Sequence, residues 1–413
     1  MTVRPNIAAA DAPTTVENAD VTVVGGAGHV GIPLVLALAE AGLRVNVNDL
    51  NSATLATLKS GKLPYIEHGA ESVLAKALAG KRLVFTDASD RISTGGPVIV
   101  TIGTPIDEFL NPVRRVVQEC IDAMLPRLAD GQLVVLRSTV FPGTTDWVAS
   151  YLAAKGRKLK IAFCPERVVQ GQGLKELREM PQIVSGTTPE AEHEAAALFE
   201  RIAPEVVVVT PLEAEFAKLF ANAYRYIEFA ATNEFYLIAK AAGVDYQNVL
   251  AAMKHNYPRA KSIPRPGFAA GPCLVKDTMQ LSAFASNRFG LGHAALLINE
   301  GLVLHVIDDI KRRCDLANTT IGLLGMAFKG ESDDVRASLS YKFKNMLSGQ
   351  ARAVLTTDPF VTTDPELMPL DKVIYQSDLM ILCAPHAAYR DADFQGKPVF
   401  DVWGHLEGAN VIR

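Results

Sequence analysis

The sequence predicts an α/β protein: two parallel-sheet domains joined by a central helical domain with long helices. Three observations carry this. Short β-rich runs alternate with helical stretches from Asp20 to about residue 210. The alternation then gives way to uninterrupted helix, and it resumes at Thr319 and continues almost to the end. The expected division is a loose tail over residues 1–19, an α/β domain over 20–210, a helical domain over 211–315 and a second α/β domain over 316–413.

Taken in order, the first twenty residues end in APTTVENAD and lack the basic start and apolar run of a signal peptide. The longest stretch without a formal charge, Val21 to Ala39, is interrupted by GGAGHVG, so it reads as strand, turn and helix rather than a membrane span. The runs VTVV, RVNVN, PVIVTI, LVVLRS, LKIAF and EVVVV then recur between helical stretches, as strands of a parallel sheet covered on both faces do. Asn111-Pro112 combines an N-cap with proline at the first helical position and predicts a helix towards Leu128. Thr210-Pro211-Leu212-Glu213 fits a capping box, and no glycine or proline follows until Gly243. That is one helix of about 30 residues, about 45 Å long. A second runs from about Gly292 to Arg313. Helices of this length in mid-chain connect domains or form a dimer core. The last strands are expected in TTIGLLGMAFK, ARAVLTTD, SDLMILCAP and KPVFDV.

Composition narrows the function. The chain has 413 residues, 49% hydrophobic and 21% charged, with a net charge of −4, so no strong field invites nucleic acid or an anionic membrane. The five cysteines, at 120, 164, 273, 314 and 383, are scattered and odd in number, without CxxC or Cys/His metal spacing, and the eight histidines are dispersed. A reduced, cytoplasmic chain without a metal site is expected.

Gly26-x-Gly28-x-x-Gly31 lies between a strand and a helix. In such a motif the first glycine makes a tight turn, the second lets a pyrophosphate approach the backbone, and the third packs helix on sheet. The helix N-terminus adds N–H groups and partial positive charge. The second strand ends in Asp49, 23 residues after Gly26, where a carboxylate accepts ribose hydroxyls and repels a 2′-phosphate. NAD is therefore expected, in a Rossmann-like domain. Lys218 and Asn222 are four residues apart on the long helix, with Arg225 beyond. Their spacing puts Lys218 and Asn222 on one face, and spacing alone favours a solvated charged face. In PGFAAGPCLVKDT, Gly267, Ala269, Ala270 and Gly271 leave room beside Cys273, and Lys276 and Asp277 follow. On the loop alone, an inert thiol and a nucleophile stand level.

The chain resembles the UDP-glucose/GDP-mannose dehydrogenase family, the nucleotide-sugar 6-dehydrogenases, from about residue 20 to 405. The resemblance is carried by VGGAGHVG, LPYIEHG, GTPID, RSTVFPGTT, CPERV, EAEFAKLFANA, GPCLVKDT and LGMAFKGESDDVRAS, in that order. It implies NAD-dependent, four-electron oxidation of a sugar C6 hydroxyl to a carboxylate, giving an activated uronic acid for polysaccharide biosynthesis. Cys273 would be the nucleophile. Lys218 and Asp277 would hold a water and handle the hydroxyl proton, with Thr139 placing that water. Asn222 would stabilise the oxyanion and Glu166 would assist thioester hydrolysis. The cofactor would meet Gly26, Gly28, His29, Val30, Gly31, Asp49, Thr104, Pro105, Thr139 and Arg336. The nucleotide sugar would meet Glu166, Arg167, Lys218, Asn222, Phe268, Gly271, Phe328 and Lys329, and Arg259 would reach a neighbouring subunit's substrate. A homodimer through the central helices is implied, with a C-terminal domain that binds the UDP-sugar.

Oxidising a primary alcohol to an acid removes two hydrides, and an aldehyde gives up the second poorly. Cysteine attack makes a thiohemiacetal, a fresh hydride donor, and its oxidation leaves a thioester for water to cleave. The sequence departs from the family pattern at Phe268, Ala270 and Pro272 before the cysteine, and at Trp403 and Gly404 where the family often has arginine. Lys276-Asp277 favours UDP-glucose, since the cysteine of the N-acetylhexosamine type is usually followed by VDP. A UDP-N-acetylhexosamine (GlcNAc or ManNAc) or GDP-mannose is the alternative. The β-hydroxyacid dehydrogenases share the first domain, long helices and a lysine–asparagine pair, but lack the cysteine loop and the last domain. A nucleotide-sensing protein without catalysis would have lost Cys273, Lys218 or Asp277, and all three are present.

Overall fold

The computed structural model describes residues 15–88, 91–107 and 112–413. Its chain divides into two compact units, Met1–Leu219 and Phe220–Arg413. In chain order the first unit contains β1 (Val21–Val24), α1 (Gly31–Glu40), β2 (Val45–Asn48), α2 (Ser52–Lys59), α3 (Ala70–Ala79), β3 (Leu83–Thr86), β4 (Val98–Val100) and α4 (Arg114–Met124). It continues with β5 (Leu133–Leu136), α5 (Thr144–Ala154), β6 (Lys160–Phe163), α6 (Gly173–Glu179), β7 (Gln182–Gly186), α7 (Pro189–Phe199) and β8 (Val206–Val208). The sheet order is β3-β2-β1-β4-β5-β6-β7-β8. β1 therefore has β2 on one side and β4 on the other, and this reversal opens a crevice at the carboxyl ends of the strands.

β1, β2, β4 and β5 are buried along their whole length, which explains their unbroken apolar or neutral character. β7 pairs with β6 antiparallel, with Phe163 opposite Ser185. The connection carries only the seven residues of α6, so the chain turns back beside β6 instead of crossing over. The expected tail falls largely outside the described residues, and Ala19 is already buried. Asn111 also lies outside them, and the helix expected from Pro112 begins at Arg114 with Val113 as its cap.

α8 (Pro211–Ala241) runs across the border of the two units. It starts as the capping box predicts, with the Thr210 N–H donating to Glu213 Oε2 at 2.8 Å. The second unit continues with α9 (Tyr246–Lys254), α10 (Leu274–Phe284), α11 (Gly290–Arg313), β9 (Thr320–Leu324) and α12 (Leu339–Leu347). Then come β10 (Ala353–Thr357), α13 (Leu370–Gln376), β11 (Leu379–Leu382), β12 (Val399–Phe400) and β13 (Val411–Ile412). The sheet is parallel, in the order β10-β9-β11-β12-β13. Among the described residues α11 alone is long and apolar enough to cross a membrane. Its Leu302, Val306 and Ile310 instead share one core with Ile321 and Leu323 of β9, so its apolarity is that of a core helix.

Candidate active site

β1 runs into Gly25, whose φ of +77° puts the left-handed turn one residue before the glycine expected to make it. The doubled glycine explains the shift. Gly26 faces the sheet, where a Cβ would stand 2.7 Å from Val23 O. A Cβ at Gly31 would meet Gly25 O at 2.4 Å, so only glycine lets α1 press against the loop. At Gly28 a Cβ would crowd Gly25 O alone among the described residues, at 3.3 Å, which leaves the main chain open to a ligand. Val30 caps α1 without a side-chain hydrogen bond, but the Ile32 N–H already donates to Gly28 O at 2.9 Å and Pro33 has none, so this helix end offers an anion chiefly its dipole. The loop is braced by Tyr65, which donates to Gly28 O at 2.6 Å and lies 3.9 Å from the His29 ring. His29 Nδ1 in turn meets Gln170 Nε2 at 2.9 Å.

A cavity of about 540 Å³ opens at this loop, walled by Gly25, Gly28, Asp49, Thr101, Glu119 and Cys120 among others. Asp49 Oδ2 accepts the Ala27 N–H at 3.0 Å and Oδ1 accepts that of Asn51 at 2.9 Å. The carboxylate is thus fixed at the wall with lone pairs left for ribose hydroxyls. Two acids and no cation line the cavity among the described residues, so a 2′-phosphate would meet like charge. The residues present fit NAD.

Loops after β4, β5 and β6 bring further expected residues together. Thr104 Oγ1 donates to Thr139 O at 2.5 Å, and Ser138 Oγ donates to Ile102 O. Pro105 O accepts the Val113 N–H at 3.1 Å. Glu166 is buried; Oε1 accepts the N–H groups of Arg167 at 2.7 Å and Val168 at 2.9 Å, and Oε2 pairs with Arg137. The Arg137 guanidinium, wholly buried, also donates to Cys164 O and Gln182 Oε1, each at 3.1 Å. Sequence reasoning gave Arg137 no role, although it opens RSTVFPGTT; a buried guanidinium needs a carboxylate, and Glu166 is that partner. Arg167 donates to Pro181 O. Cys164 lies in the core, where burial pushes its thiol up to about 12.

Lys218 and Asn222 are 9% and 8% exposed, which corrects the solvated face that spacing alone favours. Arg225, one turn on, is exposed. Asn222 Nδ2 donates to Asp277 Oδ2 at 2.6 Å, and Asp277 is wholly buried in the first turn of α10. The Lys276 ammonium lies 3.3 Å from the other carboxylate oxygen. The Asp277 N–H donates to Cys273 O at 2.8 Å. Cys273 itself is exposed and stands at the N-cap of α10, where the helix dipole favours a thiolate.

The loop before the cysteine is packed closely. Asn233 grips Gly267 twice, donating to its O at 3.0 Å and accepting its N–H at 2.8 Å. A Cβ at Gly267 would enter the Trp403 ring at 2.2 Å. Phe268 is 2% exposed and meets Phe343 and Trp403 edge-on, with centroids at 4.9 and 6.0 Å. Its ring belongs to the core, so a contact of Phe268 with the nucleotide sugar would come from its main chain. Gly271 has φ +102° and lies under Phe328, whose Cδ2 a Cβ would meet at 2.7 Å. The Lys329 ammonium is 6.0 Å from the centroid of that ring. Arg336 pairs with Asp334 at 2.7 Å. Arg259 is exposed on the turn Pro258–Ala260, 5.3 Å from the Tyr257 ring.

The models of the UDP-glucose/GDP-mannose dehydrogenase family match residues 19–203 as the NAD binding domain, 212–300 as the central domain and 322–408 as the UDP binding domain. The chain belongs to this family. It is an NAD-dependent nucleotide-sugar dehydrogenase. The UDP-N-acetyl-D-mannosamine dehydrogenase of Pyrococcus horikoshii is 28% identical, over 94% of this chain and 95% of that one. The NDP-N-acetyl-D-galactosaminuronic acid dehydrogenase of Ralstonia nicotianae is 26% identical, over 92% and 95%. Among solved structures, the UDP-D-ManNAc dehydrogenase from Pyrococcus horikoshii superposes with TM-score 0.87 at 26% identity, covering 94% and 96% of the two chains. A UDP-glucose dehydrogenase from Pyrobaculum islandicum has the same fold, with TM-score 0.87 at 24% identity over 97% and 100%.

Proposed function

We propose that this dehydrogenase oxidises C6 of a UDP-N-acetylhexosamine, of the N-acetylmannosamine type first, to a carboxylate through a covalent intermediate on Cys273. The carrying observation is an exposed thiol at the N-terminus of α10, one turn from a buried Asp277 bonded to Asn222. The choice of sugar rests on the relatives, which act on N-acetylated amino sugars. UDP-glucose, favoured by Lys276-Asp277, gives way because the Lys276 ammonium is turned onto Asp277 and carries little information about the sugar.

NAD would supply the hydride acceptor for each of the two oxidations, one molecule per step. Lys218 and Asp277 take the C6 hydroxyl proton by way of a water, which Thr139 helps to place. Asn222 and Lys218 donate to the oxygen as it becomes anionic. Cys273 Sγ then adds to the aldehyde carbon while the thiol proton passes to the oxygen. Oxidation of that thiohemiacetal leaves a thioester, and water attacks it to release the carboxylate and the thiol. Glu166, paired with Arg137, assists that water. Lys329 meets the phosphates of the nucleotide sugar, and the main chain of Phe268 lies against the same ligand.

Phe220, Tyr224 and Ile238 on α8 and Leu297 on α11 are large, apolar and exposed, which supports a homodimer through these helices. The test of substrate is a panel: UDP-ManNAc, UDP-GlcNAc, UDP-glucose and GDP-mannose with NAD, followed by NADH absorbance. kcat/KM for one N-acetylhexosamine is expected to exceed that for UDP-glucose by about a hundredfold. UDP-glucose as the best substrate would overturn the reading.

A further inference from the structure

Three loops leave the carboxyl ends of β9, β10 and β11, and one buried pair ties them together. Asp358, immediately after β10, accepts the N–H groups of Met326 at 2.6 Å and Ala327 at 2.9 Å on Oδ2. Its Oδ1 accepts those of Phe360 at 2.8 Å and Val361 at 3.0 Å. His386, after β11, meets Asp358 Oδ2 through Nε2 at 3.1 Å, and both side chains are wholly buried. Its other nitrogen, Nδ1, accepts the Glu331 N–H at 3.0 Å. A nitrogen that accepts carries no proton, so the ring proton is on Nε2 and points at the carboxylate. The imidazole is therefore a two-ended connector: Asp358 holds the start of the 326–331 loop and His386 holds its end.

The rest of the loop follows the 384–387 segment closely. A Cβ at Gly325 would meet Ala384 Cβ at 2.6 Å, and one at Gly330 would meet Pro385 O at 2.6 Å. Glu331 sits at φ +55°, a left-handed conformation that a residue with a side chain resists. Two bonds keep it there: its N–H to His386 and its Oε1 to the Ala387 N–H at 2.7 Å. Between the two anchors lie Phe328, which covers Gly271 two residues before Cys273, and Lys329.

We propose that His386, together with Asp358, is a positioning residue for the nucleoside diphosphate of the substrate: it fixes the loop that presents Lys329 and seats Phe328 on the cysteine loop. This rests on the reading of Lys329 as a phosphate ligand. His386 reaches no substrate. It acts through the loop, so its loss should weaken diphosphate binding and leave the NAD cavity of the first unit as it was.

The test is calorimetric binding of UDP and of NAD to the full chain. UDP alone is used so that neither the identity of the sugar nor the role of Cys273 enters. His386→Gln keeps an acceptor for Glu331 and a donor for Asp358 on one carboxamide, whereas His386→Leu keeps neither. His386→Leu is expected to weaken UDP about tenfold with NAD affinity unchanged, and His386→Gln to stay within about threefold of the parent for both ligands. Adding His386→Leu to Lys329→Ala is expected to weaken UDP by less than the product of the single effects, because both act on one contact. Full UDP affinity in Lys329→Ala overturns the assignment of Lys329 itself. Weakened binding there with full affinity in His386→Leu overturns the present inference alone. Equal losses of UDP and NAD affinity in both His386 variants would mark a general packing defect and overturn it as well.

Discussion

Cys164 and Cys273 both lie in stretches shared with the family, and burial separates them. Cys164 is enclosed, its thiol pushed up to about 12, so it carries almost no thiolate at neutral pH. Cys273 is exposed at a helix N-terminus. Cys164→Ser should therefore keep most activity at a cost of about 1 kcal/mol in stability. Cys273→Ser should lower acid formation on the order of a thousandfold, read as carboxylate product per enzyme. The reverse result would move the covalent step to residue 164. Asp49 gives a second test at this level. Asp49→Ala loses a charged acceptor for the ribose, so Kd for NAD should rise about tenfold while binding of NADP improves. The sequence grounds of the two proposals differ. Asp49 follows from its place at the end of the second strand, whereas the cysteine loop alone leaves Cys273 level with an inert thiol and only the family resemblance makes it the nucleophile. Arg137 was not legible in the sequence: its meaning depends on Glu166, 29 residues away, closing a buried ion pair that no spacing rule marks. Phe268 was legible as a departure from the family pattern but not as core, since its packing partners Phe343 and Trp403 are distant in the chain.

The long helices were the easiest elements to read, because a capping box and a run free of glycine and proline are contiguous signals. β3 and β7 were harder: they are four and five residues long, and β3 is only half-buried. The same helices carry the surface through which a dimer is proposed. Phe220, Tyr224 and Ile238 recur at spacings of four and fourteen on α8, a single stripe, and all are exposed, as is Leu297 on α11. Tyr224→Glu with Leu297→Glu places charge in that stripe without touching the core. The double variant should elute and scatter light as a monomer while the parent behaves as a dimer, and a parent that is monomeric at micromolar concentration would remove the interface. A second prediction concerns the cysteine loop. Gly267→Ala pushes a methyl into the Trp403 ring, 2.2 Å away at closest approach, so the loop or the indole has to move. The expected loss is about 1–3 kcal/mol of stability, with acid formation falling further than NAD binding. Trp403→Leu should relieve part of it, and a Gly267→Ala protein of parental stability would contradict the packing described.

For the molecule as a whole, the first unit builds a mostly parallel sheet and the second a parallel one, and the proposed reaction requires two oxidations on one carbon. A dehydrogenase that stops at a ketone or aldehyde has no use for a nucleophile; here an exposed cysteine adjoins a buried aspartate and asparagine that can manage a proton and an oxyanion. In the proposed mechanism the covalent link holds the intermediate between the two hydride removals, so release of aldehyde should be slow relative to the second step. Two NADH are therefore expected for each nucleotide sugar consumed, with a product that carries one more negative charge. Running the reaction with a carbonyl trap such as hydroxylamine should leave that ratio near two in the parent. In Cys273→Ser the first oxidation can still occur, so the ratio should fall towards one and trapped aldehyde should accumulate in step. NADH by absorbance and product by anion exchange on the same sample read both quantities. A ratio of one with a neutral product in the parent would refute the two-step chemistry, whichever sugar proved active.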